Sequence, residues 1–209
     1  MLSITEPNHS VDKRTPNSSD TFGILIYSPT GKVYSPTGKV KMNLAQSIKT
    51  VSELKGQFTL RSGIVSNTYF DKYQFESDPK LLKQIAEAMS VLIPSNTDIL
   101  CGLEMGGIPI VTMLSQISGL PSAFIRKAAK SYGTCRYAEG PNLANRQLLI
   151  VEDVVSSGGA IIEAASKMKA DGLYVESAIC VIDRQTGGSE KLAEHGIKLK
   201  ALLTADQLT

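Results

Sequence analysis

Two adjacent carboxylates, Glu152 and Asp153, close an almost unbroken apolar run (QLLIV, 147–151), and the small residues Ser156, Ser157, Gly158, Gly159 and Ala160 follow within a few positions. A glycine-containing turn that opens into a helix is an anion site. The backbone can approach an oxyanion closely, the unpaired N–H groups of the first helical turn point at it, and serine hydroxyls add donors. A triphosphate-hydrolysing loop of the Walker A type needs a lysine after its last glycine, where this chain has Ala160. The turn therefore suits a monophosphate. Carboxylates beside a phosphate repel it unless they serve hydroxyl groups or a cation, and a ribose 5-phosphate satisfies both ends, with hydroxyls on Glu152 and Asp153 and phosphate on the amides. The alternative is an acidic pair that only caps the next helix.

A second glycine-rich stretch, GLEMGGIP (102–109), contains Met105 and Gly106 and leads into a helix with proline near its start. It offers amides to a second anion. Between the two stretches, RKAAKSYGTCRYAEG (126–140) carries Arg126, Lys127, Lys130 and Arg136 against a single acid, Glu139. A cationic loop beside an anionic substrate reads as a lid that screens leaving-group charge and excludes water, the plainer reading being a solvated basic loop.

The elements that must position these groups alternate along the chain. DILCG (98–102), SAFIRK (122–127), QLLIV (147–151) and YVESAICVID (174–183) read as strands; helices are expected from Ile108 to near Gly119 and over AIIEAASKMKAD (160–171). Such alternation gives βαβ units and a mostly parallel sheet, whose ligands bind at the carboxyl ends of its strands. Asp78-Pro79 and the spacing of Leu81, Leu82, Ile85, Met89 and Leu92 predict a further helix, stopped at Pro94. Upstream, a short amphipathic helix over 44–54 and a hairpin through FTLRSG and SNTYFDKY suggest a small subdomain. Residues 27–33 and 34–40 repeat YSPTGKV, a duplication too short for a solenoid, and residues 1–22 have the composition of a disordered tail.

Global properties narrow the field. The chain has 209 residues, is 42% hydrophobic and 20% charged, and carries a net charge of +2, which fits a globular protein and gives no basic field for nucleic acid. Three cysteines without a CxxC pair argue against a disulfide framework, favour a cytoplasmic setting, and no segment reads as a signal peptide or a membrane span. His9 lies in the tail and His195 in a Lys/Glu-rich segment that reads as a solvated helix, so neither suggests a metal site.

FTLRSG, SNTYFDKY, GLEMGGIP, IRKAAKSYG, VEDVVSSGGA and IDRQTGG stand in the order and spacing that resemble the orotate phosphoribosyltransferases, over roughly residues 44–209. The resemblance implies the type I phosphoribosyltransferase α/β fold, with a central mostly parallel sheet flanked by helices, a hood over roughly 44–77 and a core over roughly 78–209. It implies transfer of a phosphoribosyl group from 5-phosphoribosyl diphosphate to orotate with Mg2+, held mainly through the diphosphate, in a homodimer with shared sites and without nucleic-acid or membrane partners.

It also implies roles. Glu152, Asp153, Val154, Val155 and the turn to Ala160 would hold the ribose 5-phosphate, with Ser156 also near orotate; Arg184 would pair with the orotate carboxylate. Arg61, Tyr69 and Phe70 would border the base and diphosphate, and Met105 and Gly106 would line the diphosphate turn. Lys130, Arg126 and Lys127 would stabilise the leaving group, with Asp153 among the catalytic residues. Gly106 and Tyr132 replace a lysine and a histidine common in such enzymes. A phosphoribosyltransferase for another base, and a nucleotide-binding regulator without activity, remain open alternatives.

Overall fold

In the computed structural model, residues 26–27, 33–34, 44–59, 63–129 and 136–208 are described. The chain divides into a unit over Met1–Lys41 and a unit over Met42–Thr209. In the first, strands β1 (Ile26–Tyr27) and β2 (Val33–Tyr34) pair antiparallel across the first YSPTGKV copy.

The second unit begins with helix α1 (Leu44–Ser52) and an antiparallel pair, β3 (Glu53–Thr59) and β4 (Val65–Phe70), with a register shift between Lys55 and Phe58. A five-residue helix α2 (Tyr73–Ser77), unforeseen from the sequence, leads to α3 (Pro79–Ser90). The start of α3 follows the expected chemistry: Asp78 Oδ1 accepts the N–H groups of Lys80 at 2.9 Å and Leu81 at 3.0 Å, and proline takes the first helical position.

Next come β5 (Ile99–Leu103), α4 (Gly107–Ser118), β6 (Ser122–Ile125), β7 (Ala138–Glu139), β8 (Leu148–Val155), α5 (Gly159–Ala170), β9 (Val175–Asp183), α6 (Gly188–Glu194) and β10 (Lys198–Thr204). They form one sheet in the order β10-β9-β8-β5-β6-β7. Every neighbour is parallel except β6 and β7. Neither β7 nor β10 was foreseen; β7 has two residues, and β10 lies in a Lys-rich stretch without clear alternation.

The chain leaves β5 toward β6 on one side and leaves β8 toward β9 on the other, so strand order reverses between β5 and β8. In open α/β sheets that reversal opens the ligand crevice at the strand carboxyl ends. Side-chain alternation gives the sheet two faces. Leu100, Leu149, Val151, Ile179 and Val181 pack with α1, α3 and α4; Ile99, Cys101, Leu148, Ile150, Ala178 and Cys180 pack with α5 and α6. Strand β8 runs four residues past the expected QLLIV, because its ladder with β9 continues to Val155↔Asp183. The two acids thus lie inside the strand. Among the described residues, no helix is long and apolar enough to cross a membrane.

Candidate active site

The end of β8 and the start of α5 form a cup of about 180 Å³ lined by Glu152 and by Val154 through Ile161. Ser156, Ser157, Gly159 and Ala160 are exposed, and α5 begins at Gly159, so its free N–H groups open into this cup. A neighbouring loop sets its shape. A Cβ at Gly188 would fall 2.3 Å from the Ser156 carbonyl oxygen, so only glycine lets the IDRQTGG segment close on the turn.

One strand away, β5 passes through Glu104, Met105 and Gly106 into α4. The turn is drawn against β8: a Cβ at Gly107 would stand 2.5 Å from the Val151 carbonyl oxygen, and one at Gly106 only 1.6 Å from Asp153 Oδ2. No side chain at 106 can coexist with this position of Asp153. Any side chain at 106 would have to displace the Asp153 carboxylate, and with glycine there whatever the turn offers an anion it offers through its backbone.

Adjacent positions on a strand point their Cβ atoms to opposite faces, and the two acids divide accordingly. Glu152 lies on the α5 side and lines the cup; Asp153 lies on the α4 side, fully buried, with its Oδ1 accepting its neighbour Val154's N–H at 2.5 Å. Asp153 Oδ2 pairs with Lys72 Nζ at 2.5 Å, and the Lys72 side chain, at the entry to α2, is 33% exposed. Glu76 of α2, 6% exposed, also faces Asp153, so one buried site holds three acids and one lysine.

Protons settle this crowding. Burial first, then the Asp153 carboxylate, push Glu76 up to about 9, and the same two causes raise Glu152 well above its ordinary value. Burial presses Asp153 upward too, but interactions with Glu152, Glu76 and Lys72 outweigh it and hold Asp153 below its usual value. Burial lowers Lys72 less than Asp153 raises it, so the ammonium persists. Glu76 Oε1 and Oε2 and Glu152 Oε2 make no hydrogen bond of normal geometry, so proximity and shared burial couple these acids. The cluster is the Lys72–Asp153 ion pair flanked by Glu76, which keeps its proton at neutral pH, and by Glu152, which holds its proton more tightly than an ordinary carboxyl. This is how a chain places carboxylates beside an anion cup.

The base of the basic loop is clamped on both sides. Glu104 Oε1 accepts the Lys127 N–H at 2.6 Å, and Lys167 of α5 donates to the Lys127 carbonyl while pairing with Glu163 at 2.7 Å. Arg126 is half-buried, and its N–H donates to the Tyr137 carbonyl at 2.7 Å. Arg126 and Lys127 thus flank Glu104 of the turn between β5 and α4. Arg136 does not join them; it lines a separate cavity of about 640 Å³ with Tyr137, Asn142 and Asp171, beyond the far end of α5, which shares no lining residue with the cup.

Arg184 is exposed just past β9, its N–H donating to the Val155 carbonyl at 2.8 Å, which ties it to the cup. Asp183 Oδ1 accepts the Gln185 N–H at 2.9 Å. Tyr69 and Phe70 separate: Tyr69 is exposed with its ring 5.5 Å from that of Phe58, whereas Phe70 packs on the core. Met105 is 62% exposed on the turn between β5 and α4. Lys130, Tyr132 and Arg61 lie outside the described residues. Cys101 and Cys180 are buried free thiols, and burial pushes Cys101 up to about 12, so it is no nucleophile.

Sequence reasoning missed Lys72, Glu76, Glu104 and Lys167. Lys72 lay within a quoted motif, YFDKY, and Glu104 within GLEMGGIP, but their partners sit 81 and 23 positions away, beyond any local pattern. Nothing local marks Glu76 or Lys167.

Residues 73–198 match the phosphoribosyl transferase domain family. An orotate phosphoribosyltransferase of Nocardioides sp. is 47% identical over 165 residues, which are 79% of this chain and 92% of that one. Another, from Methanocella arvoryzae, is 38% identical over 79% of this chain and 95% of its own. Among solved structures, the orotate phosphoribosyltransferase of Mycobacterium tuberculosis is similar with a TM-score of 0.70 and 26% identity, covering 79% of this chain and 96% of that one.

Proposed function

This chain belongs to the orotate phosphoribosyltransferases of the phosphoribosyltransferase family, and on that premise we propose how its site works. The enzyme transfers the 5-phosphoribosyl group from 5-phosphoribosyl diphosphate to orotate, giving orotidine 5′-monophosphate and diphosphate, a step in pyrimidine synthesis. The observation that carries the assignment of residues is the pair of glycine-rich turns into helices, at the ends of β5 and β8, on either side of the point where strand order reverses.

The 5-phosphate sits in the cup formed by Ser156, Ser157, Gly158, Gly159 and Ala160, on the N–H groups at the start of α5. Glu152, on the wall of that cup, receives a ribose hydroxyl, and Asp153 receives the other from beneath the diphosphate turn. The diphosphate lies along Met105 and Gly106. Mg2+ would be held mainly through the diphosphate of the substrate rather than by a dedicated protein site. Diphosphate offers the hard oxygens that Mg2+ prefers, and Mg2+ there supplies charge neutralisation.

Breaking the bond from C1′ to diphosphate builds positive charge on the ribose and negative charge on the leaving group. Arg126, Lys127 and Lys130 stabilise the latter, and the clamp from Glu104 and Lys167 fixes where the first two stand. Arg184, tethered to Val155, presents a planar guanidinium to the orotate carboxylate and aligns N1 with C1′. The assembly is a homodimer in which the basic loops serve shared sites, and the setting is a reducing cytoplasm.

The decisive assay follows the ultraviolet absorbance of orotate when the protein is mixed with 5-phosphoribosyl diphosphate and Mg2+, with uracil and adenine as control bases. Loss of absorbance with orotate alone is expected. Turnover of a control base instead assigns a different base, and binding without turnover assigns a regulator.

A further inference from the structure

The turn that meets the diphosphate carries no cation of its own. Glu104, Met105 and Gly106 supply one acid and two uncharged residues, and Asp153 Oδ2 occupies the space a side chain at 106 would need. A charged leaving group nevertheless needs a counter-charge within hydrogen-bond reach, because stabilisation is strongest where the donor is already positioned and desolvated. Among the described residues, Lys72 stands beside this turn. Its ammonium and the Gly106 backbone meet on the same oxygen, Asp153 Oδ2, so they are immediate neighbours in space although 34 positions apart in the chain.

Two further observations give Lys72 a path to a ligand. Its side chain remains one-third exposed, whereas its partner is fully enclosed. And the acid it covers is one of the two carboxylates assigned to the ribose hydroxyls; with Lys72 in place, Oδ2 has no exposure through which a hydroxyl could reach it. Ribose can engage Asp153 Oδ2 only if the ammonium moves aside, and the Gly106 backbone is already its neighbour across that oxygen.

We propose that Lys72 is a diphosphate-binding residue that works by exchange: it holds Asp153 in the pair seen here, and when ribose hydroxyls take its place on Asp153, its ammonium passes to the diphosphate. This rests on the assignment of the two cups to 5-phosphoribosyl diphosphate. The exchange is balanced: Asp153 trades a cation for hydroxyl donors just as the site gains an anion, so no charge is left unpaired in a buried place. The charge arrives from the entry to α2 because Gly106, pressed against Asp153, cannot carry it.

The test is calorimetric titration of Mg2+ and diphosphate into the unaltered protein, Lys72→Met and Lys72→Arg, alongside steady-state kinetics. Lys72→Met is expected to weaken diphosphate about 10- to 100-fold, as befits one charge-assisted contact, and to raise the KM for 5-phosphoribosyl diphosphate in parallel with little change in that for orotate. Lys72→Arg should recover most of the affinity. Because Lys72→Met leaves a buried carboxylate unpaired, Asp153→Asn is measured alone and combined with Lys72→Met; a further loss of diphosphate affinity in the double variant is expected. Diphosphate affinity unchanged by removing Lys72 in either background, or no diphosphate binding to the unaltered protein, overturns the proposal. The titration contains no base, so it answers for Lys72 even if orotate proves not to be the substrate.

Discussion

Replacing Glu76 by glutamine separates the protonated acid inferred in the site from an ionised one. Glu76 is 6% exposed and lacks a normal hydrogen bond. The charges facing it are Asp153 of β8, Lys72 and Asp71 before α2, with Glu152 beyond Asp153. Burial and Asp153 lift it from 4.5 to about 9, against the pull of Lys72. An acid raised on folding keeps its proton in the native state while the unfolded chain has already lost it. Its contribution is therefore intact below pH 4.5 and declines as pH rises toward about 9.

Across that window one proton differs between the states, a slope of about 1.4 kcal/mol per pH unit. Between pH 6 and pH 8 the parent should lose about 2–3 kcal/mol through this group. Glutamine has the shape of the protonated acid and does not titrate, so it escapes that loss. Urea unfolding of both proteins at pH 5, 6, 7 and 8 gives the difference in stability, in which groups common to both cancel. The difference should be small at pH 5 and grow in favour of the variant as pH rises. A difference constant with pH would refute the protonated Glu76, and one that grew in the opposite sense would show an ionised Glu76 serving as a counter-charge to Lys72.

Gly106→Ala, whose Cβ would overlap Asp153 Oδ2, should displace Asp153 and lower kcat/KM for 5-phosphoribosyl diphosphate about 100-fold, read from initial rates, while circular dichroism shows the fold retained. Arg184→Lys keeps the charge but not the planar fork, and should raise the KM for orotate about tenfold with kcat less affected; equal effects on both would move Arg184 from base recognition to the chemical step. Lys130→Ala should lower kcat by about 100-fold or more at an unchanged thermal midpoint, and activity close to that of the parent would remove Lys130 from the leaving-group machinery.

Much of the fold could be read locally. Asp78-Pro79, the apolar spacing after it and the alternation of strands with helices depend on contacts a few residues long, so α3, α4, α5 and the four main parallel strands lie close to where the sequence puts them. Helix α2, the two-residue β7 and β10 were not legible, because their boundaries are set by what they pack against. The two glycine-rich turns were legible too, since each lies between a strand and a helix as the local pattern indicates.

The division of labour between Glu152 and Asp153 was only half written in the chain. Their adjacency is a fact of sequence, and strand alternation separates their Cβ directions, but that holds only because the β8–β9 ladder extends to Val155. What surrounds each acid was decided in three dimensions. The reversal between β5 and β8 brings the Gly106 turn onto Asp153, and the run from β4 into α2 delivers Lys72 and Glu76 to the same carboxylate. Residue types and spacing determined which chemistry this protein could perform. Protonation and the source of the counter-charge depend on burial and on neighbours from distant segments, and these exist only once the sheet and its helices have closed around them.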